Sequence, residues 1–274
     1  MNTSEKVYFR PAIGQNFEFE TKEFKEIKQS LDMRPLGDSV TMMSKSKFLY
    51  SCRDFEQDSI TRSAVKFLAF EQQNRDAHSN NEVKLSENPM QNGLQAFSGA
   101  TFSVQVGKFG EILNIEGYDM FKTKFDKFYK DANAEKDVNT NVFFSRQYFK
   151  DFFERLTTIL PKSGAAVGDQ WQIEQSVLTC DHIRSTVSYK LVSINDGIAL
   201  IHANYKIDYP LPMMSGTEMQ LKGMGEGEIR LSASTGMLIS SSNSMLAEGN
   251  INLGARTMTM DCKFSTDITS RMIE

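Results

Sequence analysis

The sequence is poor in the residues that usually announce chemistry. Its three histidines stand at positions 78, 182 and 202. No pair of them has the spacing of a metal site, and there is no H-E-x-x-H. Three cysteines, Cys52, Cys180 and Cys262, are far apart and form no C-x-x-C. An odd number cannot pair completely, so the expectation is three unpaired thiols at half-buried strand or turn positions and no metal site. G-x-S-x-G is also missing, which removes the nucleophile elbow. No apolar run is long enough to span a bilayer, and "MNTSEKVYFRPAIGQ" at the start lacks a signal peptide's apolar stretch. The chain therefore reads as soluble.

Basic charge is in short supply as well. Lys and Arg number 31 against 35 Asp and Glu, a net charge of -4. "EFKEIKQ" and "KTKFDKFYKD" interleave the two signs, as on a solvated face. Nucleic acid is not an expected partner, because phosphate-backbone binders concentrate one sign on one face.

What the chain has in quantity is phenylalanine and methionine, 20 and 15, against a single tryptophan. Rings and flexible thioethers fill irregular apolar space, either a core or a pocket. Residues 39–71 and 167–274 read as strands. In "RTMTMDCKF", Met258, Met260, Cys262 and Phe264 alternate with Thr257, Thr259, Asp261 and Lys263, giving one dry and one wet face. Asp196-Gly197 marks a two-residue hairpin turn with Asn195 facing Ile198. That pairing predicts His202 opposite Leu191, roughly 30 Å from His182 along the strand.

The middle of the chain changes period. Phe121, Phe125, Phe128 and Ala132 recur at helical spacing, as do Phe149, Phe152, Phe153, Leu156 and Leu160. Ser145 is placed to cap the second helix and Pro161 to end it. Between these regions, "QNRDAHSNNEVKLSENPMQNGLQ" reads as an exposed polar excursion.

The most informative feature is a duplication. "AIGQNFEF" at 12–19 matches "AVGDQWQI" at 166–173. Each is followed by a strand, a turn and a returning strand. "TFSVQVGKFGEILNIEG" and "GEIRLSASTGMLISSSN" then turn at Gly110 and Gly236. The expected fold is a β-rich α+β architecture: one large curved antiparallel sheet of two tandem five-stranded repeats plus a C-terminal strand, with two amphipathic helices between the repeats. Boundaries fall at 1–117 for the first repeat, 118–160 for the helices and 161–274 for the second repeat, all in one integrated domain.

Gly223, Gly225 and Gly227 in "LKGMGEGEIRLSASTGML" invite a phosphate-loop reading. Such a loop needs a helix N-terminus after it. Here strand, turn and strand follow, so the glycines are expected to let a strand bend. Other chemical readings are weak. "TCDH" brings Cys180, Asp181 and His182 together, and reads best as a polar turn. Glu226 and Glu228 share a strand face, and read best as solvent-facing. A hydrolase would need either group to meet a histidine or metal in space. "DYPLPMMSGTEMQLKGM" reads as an apolar loop, with Met213, Met214, Met219 and Met224, at the edge of a pocket or packed on its own domain.

"VGDQWQIEQSV", "SYKLVSINDGIALIH" and "GEGEIRLSASTGML" together resemble a bacterial envelope domain family of unknown function, found in secreted or lipid-anchored proteins of Bacteroidota. The likeness is best over about 160–250. It implies a cell-envelope setting, periplasmic or surface-exposed, and transfers no catalytic residues to this chain; no cofactor is expected. The expected architecture is also similar, more loosely, to periplasmic lipoprotein carriers. The expectation is a non-catalytic protein that binds a lipid, an acyl chain or an apolar polypeptide segment between sheet and helices. Met258, Met260, Phe264, Phe149 and Phe153 are expected to line the space. The alternative is an interaction or scaffold module with a filled core and an envelope protein as partner.

Overall fold

The computed structural model describes residues 5–35, 39–56, 60–76, 98–131, 145–176, 184–212, 218–253 and 256–273. Its strands are β1 (Asn16–Leu31), β2 (Arg34–Pro35), β3 (Val40–Glu56), β4 (Ile60–Asp76), β5 (Thr101–Val106), β6 (Ile112–Glu116), β7 (Gln170–Ser176), β8 (Arg184–Asn195), β9 (Ile198–Pro212), β10 (Glu218–Ser232), β11 (Leu238–Leu253) and β12 (Arg256–Ile273). Two helices, α1 (Tyr118–Asp131) and α2 (Arg146–Thr157), lie between β6 and β7. All strands join one antiparallel sheet in the order β6-β5-β4-β3-β1-β12-β11-β10-β9-β8-β7, with β2 paired to β1 off this path.

The curl of the sheet follows from its dimensions. Eleven strands in a row span about 48 Å at ordinary strand spacing. Helix α2 is 12 residues long, about 18 Å. Yet α2 touches both β6 and β7, the two ends of the row. The sheet must therefore wrap around the helix, with its inner face against α2.

The duplication is written in hydrogen bonds. Gly14 N–H donates to the Cys52 carbonyl at 2.9 Å, and Gly168 N–H donates to the Leu191 carbonyl at 2.8 Å. Both glycines have positive φ, 83° and 94°, which glycine adopts at no steric cost. The Gln15 side chain accepts from Ala12 N–H, and the Asp169 carboxylate accepts from Ala166 N–H. Phe17 pairs with Tyr50 as Trp171 pairs with Tyr189. A bulge follows in each repeat, after Cys52 and after Leu191. Strand order runs the same way through both repeats, and β12 joins β1 of the first to β11 of the second.

Three sequence expectations are adjusted. Asn195 pairs with Ile198 across the Asp196-Gly197 turn, but the bulge after Leu191 moves the register by one. His202 therefore pairs with Lys190, and Leu191 with Ile201. Helix α2 is capped by Ser145, whose hydroxyl accepts from Tyr148 N–H at 3.0 Å, but it stops at Thr157, short of Pro161. The Thr157 and Thr158 hydroxyls both donate to the Gly110 carbonyl, which fixes the chain as it leaves the helix. Most of 208–224 is not a loop. Strand β9 runs to Pro212, β10 starts at Glu218, and those two residues pair. Met213 and Met214 lie outside the described residues, as do His78, Cys180, His182 and Ala132.

One buried core runs through both repeats and the helices, taking in Val187, Leu191, Ile201 and Leu231 of the second repeat, and its aromatic part sits between the helices and the first repeat. Phe48, Phe67 and Phe102 project from β3, β4 and β5 and are at most 3% exposed. They meet Phe149 and Phe152 of α2 and Phe121 of α1 in a continuous set of ring contacts, most of them tilted or edge-on at 5.0–6.3 Å between centroids. Such geometry adds to the burial of each ring.

Candidate ligand-binding cleft

The pairing registers let each inner-face position of one repeat be matched to the other. Tyr50 pairs with Val65 and Val65 with Phe102 in the first repeat. Their counterparts are Tyr189, Ala203 and Gly227. Val104 pairs with Ile115, and its counterpart Ile229 pairs with Ser241. Phe67 corresponds to Tyr205. So where the first repeat places Phe102, Ile115 and Phe67, the second has Gly227, Ser241 and Tyr205. The first repeat is packed solid with rings, and the second is hollowed at the same depth.

A cleft of about 60 Å³ occupies this hollow. Its walls come from the C-terminal part of α2, through Arg155, and from the inner face of the second repeat, through Tyr189, Tyr205, Asn243, Met245 and Phe264. A single water needs roughly 10–15 Å³ on this measure. The enclosed space thus suits a small polar group rather than a whole acyl chain.

Polar groups in and beside the cleft are organised. Arg155 Nη2 donates to Glu23 Oε1 of β1 at 2.9 Å, and both side chains are 14% exposed. Ser44 Oγ donates to the other Glu23 oxygen at 3.4 Å. Arg155 Nε is buried and has no acceptor among the described residues. Tyr205 Oη donates to Asn243 Oδ1 at 2.7 Å, and Asn243 Nδ2 donates to Ser241 Oγ at 2.9 Å. Burial pushes the phenol pKa values of Tyr189 and Tyr205 well above the usual range, against the smaller opposing effect of the Arg155 charge.

Two of the three glycines of β10 explain how Tyr205 reaches Asn243. Strand β10 lies between β9 and β11, and Gly225 and Gly227 pair with Tyr205 and Asn243 respectively. With no side chain on β10 at either register, the phenol and the amide meet over its backbone. A Cβ at Gly227 would collide with Asn243 Oδ1, and one at Gly225 with the Ser244 carbonyl. The glycines are thus sites of close approach, on a strand paired along both edges and followed by no helix.

Beyond the cleft, the inner face carries a second apolar cluster of Ile207, Leu221, Ala247, Cys262 and Phe264, with Ile27, Met245 and Met260 against it. This divides the expected lining residues. Phe149 and Phe153, each 1% exposed, belong to the ring core. Phe264 lines the cleft. Met260 belongs to the second cluster, and Met258 stands half-buried farther along β12. Arg155, Glu23, Tyr205 and Asn243 were not singled out by sequence. The signal that finds them is the mismatch between repeats, visible only once registers are known.

The other chemical candidates lie elsewhere. Glu226 and Glu228 stand on the outer face; Glu228 pairs with Arg230, and its register neighbour on β9 is His202. Cys52 and Cys262 are buried and form no disulfide among the described residues. Burial raises the Cys52 thiol pKa to about 11, which keeps it protonated at neutral pH. No cluster of metal-ligating side chains occurs among the described residues. Nor is any described helix long and apolar enough to cross a membrane.

A family profile matches residues 59–238, two thirds of the chain, taking in β4 to β10 and both helices. The chain belongs to DUF6263, a family of unknown function. The matched span contains α2 and the β8–β10 wall of the cleft, while β12, with Phe264, lies outside it. No curated protein matches the chain. Among solved structures, an outer membrane channel from Pseudomonas putida F1 aligns over 96% of this chain and 98% of its own, at 6% identity and a TM-score of 0.24. Pseudomonas aeruginosa OccK5 (OpdH) aligns over 94% and 98% at 7% identity and a TM-score of 0.19. Scores this low carry no argument about the DUF6263 chain.

Proposed function

We propose that this DUF6263 chain is a non-catalytic binding protein whose ligand is an amphipath: a small anionic or polar head with an apolar body. The head sits in the hollow of the second repeat, against Arg155 Nε and the Tyr205–Asn243 pair. The apolar part lies against Met245 and Phe264 and continues toward the second apolar cluster. The carrying observation is the asymmetry of the repeats, in which Phe102 and Ile115 give way to Gly227 and Ser241. A packed second repeat is plainly available to this architecture, because the first repeat is one. Burial of the apolar part supplies affinity at about 25 cal/mol per Å². The cell-envelope setting implied by the sequence resemblance belongs to the same proposal, since acyl chains and lipids are abundant there.

The single tryptophan provides the test. Trp171 Nε1 donates to the Ile159 carbonyl at 2.9 Å, and its indole stacks on Tyr189 at 5.6 Å. Ile159 and Tyr189 both line the cleft. Titration with laurate should shift Trp171 emission and saturate at one equivalent. Absence of any saturable change, with no adduct in native mass spectra, refutes the proposal.

One observation favours a second reading, a scaffold or interaction module for an envelope protein: the small enclosed volume beside a solid ring core. Under that reading, laurate leaves the tryptophan unchanged.

A further inference from the structure

At another place in the fold, three cations surround an apolar pocket of about 300 Å³. Arg10 comes from the N-terminal segment, Lys108 from the β5–β6 turn, and Lys162 from the connection between α2 and β7. The apolar walls are Tyr8, Phe9, Phe109, Leu160 and Pro161. The arrangement is fixed by backbone contacts from each segment. Arg10 N–H donates to the Thr235 carbonyl at 2.7 Å, and Val7 exchanges backbone hydrogen bonds with Ala165. Gly110 packs against the Thr157 carbonyl so closely that a Cβ would collide with it.

The cations carry no paired counter-ion among the described residues. None of Arg10, Lys108 and Lys162 forms an ion pair among the described residues, and no carboxylate lines the pocket. The nearest acid to Lys108 along the chain, Glu111, accepts from the Phe109 N–H at 3.0 Å and crowds Gly107; it offsets one charge and leaves the rim net positive. The cations lie instead over aromatic rings: Arg10 over Tyr8 at 4.5 Å, and Lys108 and Lys162 over Phe109 at 5.8 and 5.4 Å. Such contacts hold cationic side chains in place without neutralising them. In a chain of net charge -4, three cations without ion-pair partners among the described residues around one concavity form a local inversion of sign.

We propose that this pocket is a binding site for a phosphoryl anion, distinct from the cleft of the second repeat. Three positive groups exceed the need of a monocarboxylate and match a dianion. The Arg10 guanidinium supplies a planar fork for two oxygens, and the two ammonium groups supply point charges. Tyr8 and Phe109 offer faces for whatever carbon skeleton the phosphate carries. The phosphoryl group belongs either to a free phosphoester or to a lipid head, and the two sources differ in what else binds.

The test uses the full chain in calorimetric titration with inorganic phosphate at low ionic strength, and in co-sedimentation with vesicles of phosphatidylcholine alone or mixed with phosphatidic acid. Saturable phosphate binding that weakens with added salt is expected. It should fall by about tenfold or more in a combined Arg10→Gln, Lys108→Gln, Lys162→Gln variant. Lys263→Gln, an exposed position on β12, should leave it unchanged. Acetate should bind far more weakly than phosphate. Co-sedimentation with the phosphatidic acid vesicles that is lost in the combined variant identifies a lipid head. Phosphate binding without co-sedimentation identifies a free phosphoester. No saturable binding of phosphate, or equal binding by the combined variant with an unchanged circular dichroism spectrum, overturns the proposal.

Discussion

The Tyr205 hydroxyl donates to Asn243 Oδ1 at 2.7 Å across an intervening strand that carries glycine at both registers. The two residues belong to strands separated by β10, so their contact needs a gap in the inner face of that strand. The bond thereby ties the composition of β10 to the shape of the cleft. Removing the hydroxyl in Tyr205→Phe leaves Asn243 Oδ1 in a half-buried site with one donor fewer. Unfolding in urea should show a loss of about 1 kcal/mol with an unchanged m-value. A neutral result would mean that the hydroxyl faces water.

A methyl group at Gly225 collides with the Ser244 carbonyl, which is backbone and cannot turn away. Gly225→Ala should cost about 1–3 kcal/mol by overpacking. Ordinary strand propensity predicts the opposite sign, because glycine is the weaker strand former. A urea midpoint that falls supports close approach, and one that rises favours simple bending.

Phe149 and Phe153 test the ring core. Phe149 is 1% exposed and touches Phe67, Phe102 and Phe121. Phe149→Ala should cost about 3–5 kcal/mol, as deletion of a fully packed ring does. A loss below about 1 kcal/mol would mean that the space is already loose there.

Alkaline pH should destabilise the fold. Burial raises the pKa of Tyr50, Tyr189 and Tyr205 above the usual phenol value. Below pH about 10 these phenols are neutral in both states and contribute no pH dependence. Above it the unfolded chain loses protons that the folded chain keeps. Stability then falls by about 1.4 kcal/mol per pH unit for each phenol, or about 4 for the three. Urea midpoints should begin to fall near pH about 9, where the unfolded Cys52 thiol ionises while burial keeps the folded one protonated, and drop more steeply beyond pH about 10 as the phenols join. Absorbance at 295 nm should show fewer ionised phenols in the native chain than in the unfolded one at pH about 11.

The fold was legible because its signals are periodic. Alternation in "RTMTMDCKF", the Asp196-Gly197 turn and the Gly14 and Gly168 motifs each encode local geometry, and two copies reinforce one another. Errors arose where a single residue shifts a register, as the bulge after Leu191 does for His202, or where a tertiary contact overrides a local stop, as Gly110 does for the end of α2. The cleft was much less legible. Phe264 was reachable from its strand face. Arg155 and Glu23 are 132 residues apart, and nothing local in either segment encodes their pairing. A hollow is a property of matched positions on several strands, so it emerges only after the strands are aligned.

Ser241 lies at the matched position of Ile115 and is 7% exposed in the cleft wall. Ser241→Ile gives the second repeat the packing residue of the first. Laurate titrations of the native chain and this variant, followed by Trp171 emission, put the hollow itself to the test. The variant should stay folded, with a modest stability loss from the missing Asn243 bond, and its laurate affinity should drop by about tenfold or more. Equal laurate affinity in a folded Ser241→Ile chain would show that the hollow of the second repeat holds no ligand.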